Sequence, residues 1–138
     1  MDADAIAKAA ADAMWAGDTA SRSLGMRLDG IGPGRAVLSM EVTATMVNGL
    51  GVCHGGLVFT LADSACAFAS NSYNRRMILQ SSQITLIAPA RLGMRLSAEG
   101  IERHRADRSA IYDVRVTSGD EVIAEFRGHV RSIPGTLY

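Results

Sequence analysis

Apolar residues along this chain recur with two different periods, and the change of period marks out the elements. In residues 4–17, Ile6, Ala9, Ala10, Ala13, Met14 and Ala16 recur at helical spacing with the charges mostly on one side, and Gly17-Asp18 closes the run. Leu24, Met26 and Leu28 then alternate with Gly25 and Arg27, which predicts a strand. Gly30-Ile31-Gly32-Pro33-Gly34 reads as a turn. Beyond it Ala36, Leu38, Met40 and Val42 alternate with Val37, Ser39 and Glu41, so the two strands form a hairpin. Residues 43–54 read as a loop around Asn48-Gly49-Leu50-Gly51.

The period changes again at Gly55. From there to about Ser72 the sequence predicts a long helix whose apolar surface is too wide for a surface helix, so it must be enclosed. After Asn74-Arg75-Arg76 the pattern returns to strands. Ile78–Ile87 is one, stopped by Pro89; Met94, Leu96 and Ala98 begin the next, with Gly100 as a candidate bulge before Ile101. Tyr112, Val114 and Val116 form a third, Ser118-Gly119-Asp120 turns the chain, and Val122, Ala124, Phe126, Gly128 and Val130 complete the last. The order of helix, two strands, long buried helix and four strands predicts an α+β domain. An antiparallel six-stranded curved sheet wrapped around one long central helix, with an N-terminal helix besides, satisfies both periods. No internal repeat or linker divides residues 1–138, so a single domain is expected.

Composition narrows the class of function. Basic and acidic residues number 14 each, and a formal net charge of zero argues against a nucleic-acid partner. Thirteen of the basic residues are Arg, and Lys8 is the single Lys. No stretch is apolar for long enough to span a membrane, and the acidic start at Asp2 and Asp4 does not resemble a secretory signal. With two cysteines, Cys53 and Cys66, a reduced cytoplasmic enzyme or binding protein is the expected class.

The candidate chemistry lies in His54-Gly55-Gly56-Leu57-Val58-Phe59-Thr60-Leu61-Ala62, which ends against Asp63. Glycines at a helix start offer uncrowded N–H groups where negative charge is stabilised. A carboxylate two turns into an apolar helix is costly unless something pairs with it. Acyl transfer needs donors for an oxyanion, a base for water and a group that orients the carbonyl. Gly55 N–H, Asp63 (as base or nucleophile) and Asn48 are the candidates in that order. The plain alternative is a core helix with a tight entry turn and an Asp bonded to a neighbouring hydroxyl. Gly55 and Asp63 are eight positions apart, roughly 12 Å along a helix axis, so one chain cannot bring both to one centre. Two helices lying antiparallel across a twofold axis near Phe59 would do so, which predicts two sites at a homodimer interface.

Other chemistries fit less well. No G-x-S-x-G surrounds Ser64, and Cys53 beside His54 reads as a buried structural thiol. His54, His104 and His129 are too scattered for a metal site. His54 reads as a residue that orders the loop, with direct catalysis as the alternative. Arg75-Arg76 complements the helix dipole, with phosphate binding as a second reading.

Asn48-Gly49-Leu50-Gly51-Val52-Cys53-His54-Gly55-Gly56, followed by Phe59, Leu61-Ala62-Asp63, Ala65, Ala67 and Ala69-Ser70-Asn71-Ser72, resembles the hotdog-fold acyl-CoA thioesterases. The likeness is to the PaaI branch, named for phenylacetate degradation. Ile84-Thr85-Leu86 through Pro89 and Gly93, Ile111-Tyr112-Asp113-Val114 and Ala124-Glu125-Phe126-Arg127-Gly128 extend it over roughly residues 20–132. The resemblance implies a thioester held at a dimer interface, dimers joined into a homotetramer, and no metal or cofactor. It implies that Gly55 N–H polarises the thioester carbonyl, that Asp63 attacks it or activates water, and that Asn48 positions carbonyl or water. His54 sits where the family's loop histidine does. The implied substrates are phenylacetyl-CoA and its ring-hydroxylated relatives, hydrolysed to free acid and CoA.

Two departures accompany the likeness. Some relatives carry a hydroxyl on the strand after the helix, and here Leu79-Gln80-Ser81-Ser82-Gln83 offers Ser81 or Ser82. Residues 1–19 fall outside the match as a variable N-terminal helix. A hotdog hydratase or dehydratase is the alternative enzyme, but it wants a facing His and carboxylate, and His54 is the only nearby His. A non-catalytic acyl-CoA-binding regulator would need a DNA-binding segment, for which residues 1–20 are too short and too acidic.

Overall fold

The computed structural model describes residues 1–138 throughout. Helix α1 (Ala3–Gly17) starts at Asp2, whose side chain accepts the Ala5 N–H at 2.8 Å. A helical turn that the pattern does not announce, α2 (Thr19–Ser23), follows directly, capped by Asp18. The strand expected from Leu24, Met26 and Leu28 begins later, because residues 24–26 close α2. Leu24 N–H bonds back to Ala20, Gly25 N–H to Arg22 and Met26 N–H to Ser21, with Gly25 at φ +73°, where glycine fits without strain. Strand β1 (Arg27–Gly32) runs through Gly30 and Gly32, where the glycines predict a turn; its register shifts between Leu28 and Gly30. Only Pro33-Gly34 turns the chain into β2 (Arg35–Glu41). The loop over 43–54 holds a short 3₁₀ turn at Ala44–Met46 and is tied down by bridges Val47–Cys53 and Val52–Arg91.

The central helix α3 (Gly55–Ser70) stops two residues before the expected Ser72. Buried Asn71 is the cause. Its Nδ2 donates to the Ala67 and Met77 carbonyls, and its Oδ1 accepts the Met77 N–H at 3.0 Å. One amide thus ends the helix and anchors the next strand. Strands β3 (Met77–Leu86), β4 (Arg95–Arg105), β5 (Ser109–Ser118) and β6 (Glu121–Ser132) follow. Every pairing is antiparallel, in the order β1-β2-β4-β5-β6-β3, so β1 and β3 are the edges. Helix α3 packs against all six strands. No helix is long and apolar enough to cross a membrane.

Gly100 has a different role from the expected bulge. β4 runs through it in register, and the irregularity lies between Glu102 and His104. A Cβ at Gly100 would stand 3.0 Å from the Ala65 carbonyl oxygen of α3. At Gly128 a Cβ would stand 2.9 Å from Cys66 Sγ. Gly100 lets the helix backbone approach the sheet, and Gly128 makes room for the Cys66 side chain. Gly100→Val is expected to destabilise the chain by about 1–3 kcal/mol, the usual cost of overpacking, because a backbone carbonyl cannot move aside. Urea denaturation measures it, and an unchanged midpoint would show that the helix can shift outward freely.

Candidate active site

Asp63, Cys66, Ala67 and Ser70 follow one another at i, i+3, i+4 and i+7 and so share a stripe of α3. With Met77, Ile78, Leu79 and Val130 they line a cavity of about 230 Å³. Asp63 is half-buried and has no hydrogen-bond partner within the chain. The hydroxyl beside it is occupied: Ser64 Oγ lies 2.9 Å from Ser21 Oγ, which donates to Asp18 at 2.7 Å. The plain reading, an Asp satisfied by a neighbouring hydroxyl, therefore fails. Burial pushes the Asp63 carboxyl above the ordinary carboxylate range, and the charge of Asp18 adds to the shift.

A separate cavity of about 260 Å³ lies at the other end of α3, against Gly55 and Val58, between Val52-Cys53 and residues 86–90. The first-turn N–H groups of Gly55 and Gly56 precede any acceptor in the helix and find none elsewhere in the chain. A Cβ on Gly55 would stand 2.5 Å from Leu86 Cδ1, so glycine is what lets Leu86 close over this turn.

Asn48 lies outside both cavities. Its Oδ1 accepts the Leu50 and Val52 N–H groups at 2.9 and 3.2 Å, which fixes the amide and leaves Nδ2 free to donate. His54 serves through its backbone: its N–H donates to Met46 O and its carbonyl accepts from Leu57, while its exposed side chain makes no cap. Ser81 and Ser82 are exposed on β3 and line neither cavity. His104 and His129 flank Ile111 from either side across three strands, away from His54. Neither cysteine competes as nucleophile. Burial raises the Cys53 thiol, and burial together with Asp63 pushes Cys66 up to about 12.

One contribution was not legible in the sequence. Asp18 and Ser21 come from the N-terminal segment, 43 residues before Ser64 in the case of Ser21, and no local spacing connects them to α3. Its one signal is the Gly17-Asp18 helix stop, which places a capping carboxylate at that corner.

A long helix enclosed by an antiparallel six-stranded sheet is the hotdog architecture, and donors at the helix start with an unpaired carboxylate two turns in are the groups that acyl-transfer chemistry would use. The chain belongs to the thioesterase superfamily, whose sequence pattern matches residues 50–125, and it is a thioester hydrolase. It is 35% identical to the acyl-coenzyme A thioesterase PaaI of Escherichia coli K12 over 128 residues, 92% of this chain and 91% of that one. The solved structure of that E. coli protein, from the phenylacetic acid degradation operon, superposes with a TM-score of 0.96 at 34% identity, covering 98% of this chain and 99% of that one. The phenylacetic acid degradation protein PaaI of Thermus thermophilus, solved as a mutant, matches at 34% identity and a TM-score of 0.82, covering 84% of this chain and 100% of that one. A Streptococcus mutans protein bound to acetyl-CoA matches at 25% identity and a TM-score of 0.72, over 75% of this chain and 85% of that one.

The electrostatics of Asp63 give a test. Asp18→Asn keeps the cap on α2, since Asn caps as well as Asp, but removes a negative charge that disfavours ionised Asp63. The acidic limb of the kcat/KM profile should move to lower pH. A limb that stays put or moves up would remove Asp18 from the electrostatics of the site.

Proposed function

We propose that the chain is an acyl-CoA thioesterase whose sites are shared between two copies, with Gly55, Asn48 and His54 of one and Asp63 of the other. The observation that carries this reading is the division of the site into two cavities at opposite ends of α3, one with free N–H donors and one with an unpaired carboxylate. Each cavity borders one end of β3, whose outer edge is unpaired. The exposed Ile78 and Leu86 of β3 stand four residues either side of Ser82. An antiparallel partner strand centred there would set Ile78 against Leu86 twice over and cover both. The same twofold brings the Asp63 cavity of one chain to the Gly55 cavity of the other. A homotetramer built from two such dimers completes the proposed assembly.

In that geometry the thioester oxygen takes the Gly55 N–H, reinforced by the positive end of α3. The partner's Asp63 takes a proton from water, a role for which a raised carboxyl pKa is suited. Asn48 lines neither cavity of the single chain, so the likeness to PaaI is what supports its Nδ2 as donor to the water or carbonyl in the assembled dimer, and His54 holds the loop through its backbone. Water adds to the acyl carbon, the C–S bond breaks, and the proton held by Asp63 passes to the leaving sulfur, giving free acid and CoA and restoring the carboxylate. The likeness to PaaI supports phenylacetyl-CoA or a hydroxylated form as substrate, and the acetyl-CoA bound to the S. mutans relative supports a CoA thioester. Buried free cysteines suit a reducing compartment, and the cytoplasm is the proposed location.

Two experiments test this reading. Asp63→Asn should lower kcat by about 10²-fold or more, and Gly55→Val should displace Leu86 and be similarly inactive. Refolded together in equal amounts, the two variants form about half mixed dimers, each with one undamaged site, so roughly a quarter of wild-type activity should return. No recovery in mixed dimers verified by mass spectrometry would place both groups in one chain's site. In a thiol-release assay, phenylacetyl-CoA should give a higher kcat/KM than palmitoyl-CoA; the reverse order would assign a fatty-acyl substrate instead.

A further inference from the structure

The loop that carries Asn48 holds one chemically weak bond of which the reaction above makes no use. The chain has three asparagines, Asn48, Asn71 and Asn74, and only Asn48 is followed by glycine. The backbone nitrogen of the next residue is placed to attack an asparagine side-chain amide, because the attack closes a five-membered ring. A side chain on that next residue crowds the approach, whereas glycine leaves it open and lets the backbone turn. Asn71 is shielded: it is buried, its Nδ2 donates to the Ala67 and Met77 carbonyls, and Ser72 follows it. Asn74 is followed by Arg75, and its Oδ1 accepts the Leu137 N–H. Asn48 and Gly49 are both exposed. The Gly49 N–H finds no acceptor in the chain, and neither does Asn48 Nδ2, so the attacking nitrogen and the leaving one are both untied.

The loop also polarises the amide. Asn48 Oδ1 accepts the Leu50 N–H at 2.9 Å and the Val52 N–H at 3.2 Å. Two donors on that oxygen stabilise the negative charge that develops on it as the amide carbon is attacked. We propose that Asn48-Gly49 is a self-modification site, at which loss of the side-chain amide switches the active site off over time. The Gly49 nitrogen bonds to Asn48 Cγ. The Cγ–Nδ2 bond breaks, and Nδ2 leaves as ammonia with the proton that Gly49 gave up, relayed by solvent. Water then opens the cyclic imide at one of its two carbonyls, leaving aspartate or isoaspartate. One water is consumed and one ammonia released, with no oxidant or reductant. The effect on turnover rests on the thioesterase reading above, in which Asn48 Nδ2 is a donor. Aspartate keeps the oxygen that Leu50 and Val52 hold but has no N–H to give, and it adds negative charge beside the developing oxyanion. Isoaspartate lengthens the main chain by a carbon, pushing apart the partners of a turn closed by Asn48 N–H on Val52 O at 2.8 Å and Gly51 N–H on Asn48 O at 3.0 Å.

Incubation of the purified protein without substrate at mildly alkaline pH, followed by peptide mapping, reads the modification directly. Asn48 should gain the mass of an acid and become a target for an isoaspartyl methyltransferase, while Asn71 and Asn74 stay amides. Thioesterase activity should fall in step with the Asn48 that remains. A Cβ added at Gly49 meets nothing within 4 Å, so Gly49→Ala should begin at wild-type activity and lose both Asn48 and activity several-fold more slowly. Asn48→Asp, made directly, should lower kcat/KM about tenfold or more with an unchanged melting temperature, because its oxygen still accepts the loop N–H groups. An Asn48 that stays an amide throughout, or equal rates of conversion in wild type and Gly49→Ala, would overturn the site. Full conversion with activity intact would overturn the switch. A chain that hydrolyses no thioester yet converts at Asn48 would keep the site and sink the hydrolytic reading instead.

Discussion

Everything in this domain depends on how closely α3 lies against the sheet. At Gly100 the strand carries no side chain, and the Ala65 carbonyl occupies the space where a Cβ would be. At Gly128 the Cys66 sulfur does the same. The helix answers with small residues, Ala62, Ala65 and Ala69, all fully buried. Backbone against backbone leaves no room for the helix to roll or slide, since interiors are packed as densely as crystals. The rotation of α3 fixes which residues form its outward stripe. Asp63 falls on the stripe that looks along β3, while Val58, Leu61 and Phe68 are buried.

That fixed rotation carries an electrostatic cost. Asp63 is held half-buried with no donor in its own chain, next to a second carboxylate on Asp18. A stability-optimised sequence would pair it or replace it. Its charge also reaches inward, where it helps keep Cys66 a thiol. The neighbouring hydroxyls are arranged so as not to relieve it: Ser64 and Ser21 satisfy each other and Asp18. A half-buried carboxylate left unpaired beside a second one is a perturbed group of the kind that concentrates at functional sites, which is why the proposed mechanism gives Asp63 the water.

Long elements with a clean period were legible in the sequence, and short ones built on glycine were not. The alternation in β6 and the wide apolar surface of α3 placed those elements to within two residues, and the alternation in β5 marked its middle but missed its first three residues. Leu24 and Met26 also alternate, yet they lie in the cap of α2, because two apolar residues flanking a glycine satisfy a turn as well as a strand. Gly30 and Gly32 look like turn residues but lie in β1, an edge strand that tolerates a register shift. Gly100 looks like a bulge and is a contact point for the helix, which no one-dimensional pattern separates. The candidate residues around α3 were readable because they are local to one helix and its lead-in. Asp18 and Ser21 were not, because their link to α3 crosses two strands and a loop.

The edge of the sheet completes the argument. Edge strands are commonly protected by Pro, Lys or a cover of side chains. β3 has no Pro or Lys from Met77 to Leu86; it presents polar residues from Gln80 to Gln83 and exposed apolar ones at Ile78 and Leu86. Symmetry about Ser82 makes this edge complementary to itself, which is what the proposed dimer uses: a second copy there would satisfy its backbone and cover its apolar ends. Such a partner also explains why the donors and the carboxylate were built eight residues apart on one rigid helix. Separation prevents them from neutralising each other within a chain, and in the proposed dimer assembly across the edge would bring them to a common centre. Edge pairing and catalysis then become one requirement, met by the same strand.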